Sequence, residues 1–211
     1  MKLLNLRNFI CVLLLLSHQL LIGQATVSTK LPLVVSVFNI GTVLPGSGIA
    51  GIFTVPVHPG ISLGTEFRYN KSSTNQWFQT ARLGIFHHRL VQTGIQLYSE
   101  VGYRRDIWKG IGAELRLGAG YLHAFTDTEV FKLQDGRYVK KADWGRAQFM
   151  AGGTLGLSYV LPLKNSPRVF IDYQFYLQMP YVKSYVPQLP NTALHLGVAF
   201  PFFNQPKCFK K

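Results

Sequence analysis

Residues 111–125 alternate two chemistries without a break. Ile111, Ala113, Leu115, Leu117, Ala119, Tyr121 and Phe125 share one parity, and Gly112, Glu114, Arg116, Gly118 and Gly120 share the other. Successive side chains of a β-strand point to opposite faces, so the stretch predicts one strand with an apolar face and a polar face. Its length constrains the fold as much as its pattern. Strands in soluble sheets run to about 5–6 residues, whereas a strand tilted across a bilayer needs about 9–11. Segments of the same kind occupy residues 49–57, 61–69, 77–87, 91–103, 147–161, 169–179 and 192–202, making eight in all.

The chain has 211 residues, 47% of them hydrophobic and 15% charged, which suits one sizeable domain and argues against disorder. Lys2 and Arg7 precede the apolar run 12–16, the run resumes at 20–22, and Gly23-Gln24-Ala25 offers a small-residue cleavage pattern. Residues 1–25 therefore read as a cleaved secretory signal peptide. No later run has the about 20 apolar residues of a membrane helix. A membrane-embedded chain of this kind must close its strands into a barrel, because open sheet edges in hydrocarbon leave backbone groups without partners. Cys11 departs with the leader and Cys208 lies in the tail, so no internal disulfide is expected.

The expected fold is all-β: a closed antiparallel up-and-down transmembrane β-barrel of eight strands over residues 48–203, followed by a periplasmic tail, 204–211. An even count puts both ends of the barrel on one side, with short turns there and longer loops opposite. The longest connections, 126–146 and 180–191, follow the fifth and seventh strands, both outward-running. Within the first, Asp135-Gly136 sits between the alternating stretches 131–134 and 137–140, the signature of a two-residue hairpin turn. Residues 26–47 contain Leu33, Val34, Val35, Val37, Phe38 and Ile40, which would suit a further strand, a plug or a cap. They are read as a non-spanning segment.

The polar face decides which side is inside. Gly64, Gly84, Gly94, Gly102, Gly112, Gly118, Gly120, Gly152, Gly156 and Gly197 fall on it, and glycine suits the crowded interior of a small barrel. Glu66, Arg68, Arg82, Glu100, Arg104, Glu114, Arg116 and Asp172 fall there too, four acids against four arginines. Unpaired charge in a low-dielectric interior is costly, so equal numbers predict a mutually neutralising network that closes the lumen. Phe67, Tyr69, Trp77, Tyr103, Tyr121, Phe125, Tyr159 and Phe202 belong to the opposite face, many near strand ends where aromatic girdles form.

The last segment carries His195-Leu196-Gly197-Val198-Ala199-Phe200-Pro201-Phe202. This looks like the terminal-strand signal read by the bacterial barrel-assembly machinery. On that pattern, the leader and the alternation, residues 48–203 resemble the small eight-stranded outer-membrane barrel proteins of Gram-negative bacteria. The tail after Phe203 departs from the many members that end at a terminal aromatic. The resemblance implies an outer-membrane location, lipid and lipopolysaccharide as neighbours, and the barrel-assembly machinery as a partner during insertion. Some members are lipid A deacylases with a His-x-Ser pair and an acid on the lipid-facing wall. Here His123 and Glu129 are present, but Phe125 stands where the pattern needs serine, and Ser99 lies far down its strand.

No residue is therefore assigned a catalytic, cofactor-binding or metal-binding role. His87 and His88 have no cysteine or acid at ligand spacing and read as loop-edge residues. The net charge of +13 would suit nucleic acid, but export excludes it. Lys30, Lys71, Arg105, Lys109, Lys164, Arg168, Lys207, Lys210 and Lys211 fall at the periplasmic rim, opposed there only by Asp106. Such a rim attracts anionic headgroups. The expected role is structural, adhesive or ligand-contacting. The alternatives are acyl-ester hydrolysis of lipid A or phospholipid at the wall, and binding or transport of a small hydrophobic molecule.

Overall fold

The computed structural model describes residues 30–42, 56–89, 91–127, 131–134, 136–140, 144–163, 166–181 and 186–204. The leader reading, the tail beyond 204 and most of residues 49–57 lie outside them. The described strands are β1 (Lys30–Gly41), β2 (Pro59–Arg68), β3 (Asn75–His88), β4 (Gln92–Trp108), β5 (Ile111–Thr126), β6 (Phe131–Gln134), β7 (Arg137–Lys140), β8 (Arg146–Val160), β9 (Arg168–Met179) and β10 (Leu189–Asn204). Eight of them close a barrel in the order β1-β10-β9-β8-β5-β4-β3-β2, every pair antiparallel, and β6 and β7 form a separate hairpin.

The first strand differs from the sequence reading. Lys30–Gly41, expected to stay out of the wall, pairs with β10 on one side and β2 on the other and closes the barrel. Residues 56–58 carry no strand. The reason lies in the interior face of β1, where Val34, Phe38 and Ile40 accompany the single hydroxyl of Ser36. With both faces apolar, the period of two is hidden. Proline also weighs against the rejected segment, since Pro56 has no N–H to give a ladder.

Parity is kept, because one strand replaces another at the same end of the chain. The strand ends joined by 42–58, 127–145 and 180–188 lie at one rim, with those joined by the short 89–91 link. The opposite rim has 69–74, 161–167 and the two-residue turn Lys109–Gly110, where Trp108 pairs with Ile111. Lys109 and Gly110 both have positive φ, 42° and 87°, as a type I′ hairpin turn requires. The expected hairpin at 131–140 also forms, with Gln134 opposite Arg137.

The polarity of the barrel is inverted relative to a soluble protein. Leu63, Leu83, Leu97, Leu115, Leu117, Leu155 and Leu157 are each at least half exposed on the outside, Leu117 at 66%. Glu66, Arg82, Arg104, Arg116 and Asp172 are at most 2% exposed within. Trp77, Trp108, Tyr69 and Tyr159 ring the short-turn end of the apolar belt, and Tyr121 and Phe149 the other.

Candidate functional site: the layered lumen and the outer wall

The interior is stratified along its axis, because each strand delivers every second side chain at a fixed depth. Nearest the short-turn rim lies the charged layer. Arg104 on β4 bonds Glu114 Oε1 on β5 at 2.6 Å and Glu66 Oε2 on β2 at 3.0 Å, and its guanidinium lies 4.4 Å over the Phe78 ring. Arg116 on β5 bonds Glu114 Oε2 at 3.2 Å and reaches Asp172 of β9. Its Nε stands 3.5 Å from Glu100 Oε2, an ion pair without hydrogen-bond geometry. Glu100 instead accepts from Thr154 on β8 at 2.6 Å. Arg82 on β3 approaches Asp172 at 3.7 Å.

Two arginines exchange the places given them by the sequence reading. Arg168, assigned to the rim, turns inward and pairs with Glu66. Arg68 makes no ion pair among the described residues; its Nη2 donates to the Ser72 carbonyl at 2.9 Å. The balance of four acids and four arginines survives with Arg168 in the place of Arg68. Arg168 has the lumenal parity of Phe170, Asp172 and Gln174, so continuing the alternation one residue before 169 would have found it.

Above the charges lies a neutral layer that sequence reasoning did not assemble. His195 stacks on Phe38 at 4.5 Å, with Nδ1 at 3.3 Å from Ser36 Oγ and Nε2 at 3.3 Å from Gln174 Oε1. Ser36 Oγ lies 2.7 Å from Ser62 Oγ. A hydroxyl beside an imidazole is the beginning of a nucleophile, but Ser36 and His195 are 2% and 1% exposed, and the third group is an amide instead of a carboxylate. Higher still, Gln92 and Gln178 exchange reciprocal amide bonds of 2.8 and 2.9 Å, Gln148 accepts from Gln178, and Asn191 donates to Gln178 at 3.2 Å. At this mouth His58 and His88 stack face to face, 3.6 Å between centroids.

On the outer wall, His123 carries the question of catalysis. Its Nδ1 is 2.7 Å from the Tyr121 hydroxyl and its Nε2 is 3.0 Å from the Trp144 carbonyl oxygen. A carbonyl only accepts, so Nε2 carries the proton and Nδ1 accepts from Tyr121. Both nitrogens are thus engaged, and the Phe125 ring packs 4.8 Å away in the position a serine would need. Glu129 lies outside the described residues. Among the described residues no group of His, Cys, Asp and Glu is arranged to hold a metal.

Comparison with known structures fits this geometry. Neisserial surface protein A superposes with a TM-score of 0.53 at 12% identity, over 83% of this chain and 98% of that one. The chain has the fold of the small eight-stranded outer-membrane barrels. The barrel is also similar to Ail, the attachment invasion locus protein of Yersinia pestis, at 14% identity over 82% and 99% of the two chains, with a TM-score of 0.46. The outer membrane enzyme PagL gives 13% identity over 79% and 97%, with a TM-score of 0.45. No family model matches this barrel, and no curated protein matches it by sequence.

Proposed function

We propose that the protein is an integral outer-membrane barrel whose lumen is occluded by its own side chains, and whose contacts with partners are made by the outer hairpin β6–β7. The observation that carries this reading is the inverted polarity: a continuous apolar belt outside and a buried, paired charge layer inside. Large exposed apolar surfaces mark membrane or partner contact, and an eight-stranded barrel is just wide enough for side chains to fill. The leader pattern at 1–25 and the terminal pattern at 195–202 support export and insertion by the barrel-assembly machinery.

Outer-membrane lipid surrounds the belt, and lipopolysaccharide meets the rim of long connections. There the hairpin presents Phe131, Tyr138 and Val139 to solvent beside Arg137 and Lys140, with Trp144 just beyond it. Its role is structural, adhesive or ligand-contacting. His123, with both ring nitrogens engaged, supports an interfacial place in preference to acyl-ester hydrolysis. The test is conductance of the refolded protein in a planar bilayer. The expected record is the baseline of the protein-free membrane; a steady single-channel current from protein whose heat-modifiable migration shows a folded barrel would overturn the occluded reading.

A further inference from the structure

At the short-turn end the lumen opens into a cavity of about 200 Å³, lined by Arg68, Arg104, Arg168, Glu66, Gln76 and Asp106 among others. Arg104 and Arg168 are bound to the carboxylates of the charged layer. Arg68 stands outside that balanced layer, with Asp106 as the further carboxylate of the cavity. The Arg68 Nε is buried without a hydrogen-bond acceptor, and the Nε of Arg168, also without one, has Glu114 Oε1 only at ion-pair distance, 3.8 Å. A buried donor left unsatisfied is expensive, and two guanidinium donors on one cavity suit an oxyanion, which offers several acceptor oxygens to a planar fork. Asp106, on the same cavity, gives a cationic group a partner.

On the outer face of β8 and β9 lies an apolar groove of about 460 Å³, lined by Ile111, Leu157, Tyr159, Val169, Ile171 and Leu196 among others. Cavity and groove flank the same ends of β8 and β9. Val160 lines the first and Tyr159 the second, and Arg168 and Val169 divide in the same way. We infer that this rim is a phospholipid site, taking the phosphodiester of a zwitterionic glycerophospholipid on Arg68 and Arg168, its ammonium at Asp106 and an acyl chain in the groove. Charge complementarity selects the headgroup, and the adjoining groove selects a lipid over a free anion. The inference rests on the outer-membrane reading, which turns the short-turn rim toward the phospholipid leaflet.

The test is native mass spectrometry of the full refolded chain with phosphatidylethanolamine, in parallel with inorganic phosphate followed by ³¹P NMR. The expected result is one phosphatidylethanolamine retained per barrel. Arg68→Gln should weaken that retention about tenfold or more, the scale of a lost charged hydrogen bond. Val169→Trp, on the outer face of β9 where the side chain is half-buried, should weaken lipid retention and leave phosphate binding unchanged. Equal retention by wild type and Arg68→Gln would overturn the site, and phosphate binding with no effect of Val169→Trp would reduce it to a free-anion site and overturn the lipid. Heat-modifiable migration recorded for each variant reports the barrel itself, so loss of lipid with migration preserved leaves the outer-membrane reading standing.

Discussion

Glu114 is the most connected acid of the interior, shared by Arg104, Arg116 and, at 3.8 Å, Arg168. Removing one member of a buried ion network leaves uncompensated charge, so Glu114→Leu should lower unfolding free energy by about 3–5 kcal/mol in urea titrations in lipid vesicles. Tyr138→Ala, on the exposed hairpin, should change it by no more than about 0.5 kcal/mol. Close approach matters at Gly102, where a Cβ would meet the Arg116 side chain and the Phe78 ring. Most of the charged layer was legible, because alternation alone assigns Glu66, Arg82, Glu100, Arg104, Glu114, Arg116 and Asp172 to one face. The partners were not: which carboxylate meets which guanidinium depends on stagger around the closed sheet. The neutral layer of Ser36, Gln174 and His195 escaped because polar uncharged residues are equally at home on a solvent face. His123 was placed correctly on the outer wall, two residues from its partner Tyr121 on the same face of β5, but its bond to the Trp144 carbonyl depends on a loop arrangement that no spacing announces.

Among the elements, seven of the eight wall strands follow from their alternation, with shifts of a few residues at the ends. The eighth does not, since β1 has an apolar residue on nearly every position of both faces and loses the signature of a two-faced strand. Register provides a direct check. Val37 lies opposite Leu196 in the β1–β10 pair. Val37→Cys combined with Leu196→Cys, with Cys208→Ser removing the competing thiol of the tail, should cross-link on oxidation of the folded barrel, read as a shift in electrophoretic mobility. Failure of that pair, together with cross-linking of Leu196→Cys to a cysteine placed within 49–57, would return the seam to the segment favoured by the alternation. The hairpin β6–β7 was legible for the opposite reason, since a two-residue Asp-Gly turn between short alternating stretches has few other readings.

For the molecule as a whole, the grouping of connections predicts its orientation in the membrane. The strand ends joined by the long connections lie at one rim, and the tight Lys109–Gly110 turn lies at the other. An epitope inserted at Gly136 should be labelled by antibody on intact cells, and one inserted between Lys109 and Gly110 only after the outer membrane is breached; the reverse pattern would turn the barrel over. The paired charges have a further consequence, for the way the molecule comes together. Glu66 of β2 is held by Arg104 of β4 and Arg168 of β9, and Arg116 of β5 by Asp172 of β9. In each of these three pairings the two strands are not neighbours in the sheet. Arg104 and Glu114, and Arg116 and Glu100, meet between the adjacent β4 and β5, but Glu66 reaches Arg168 only across the seam that β1 and β10 complete, so a half-zipped sheet leaves ions at its two edges without these counterparts. Like the last stone of an arch, the closing seam is what completes the charge layer.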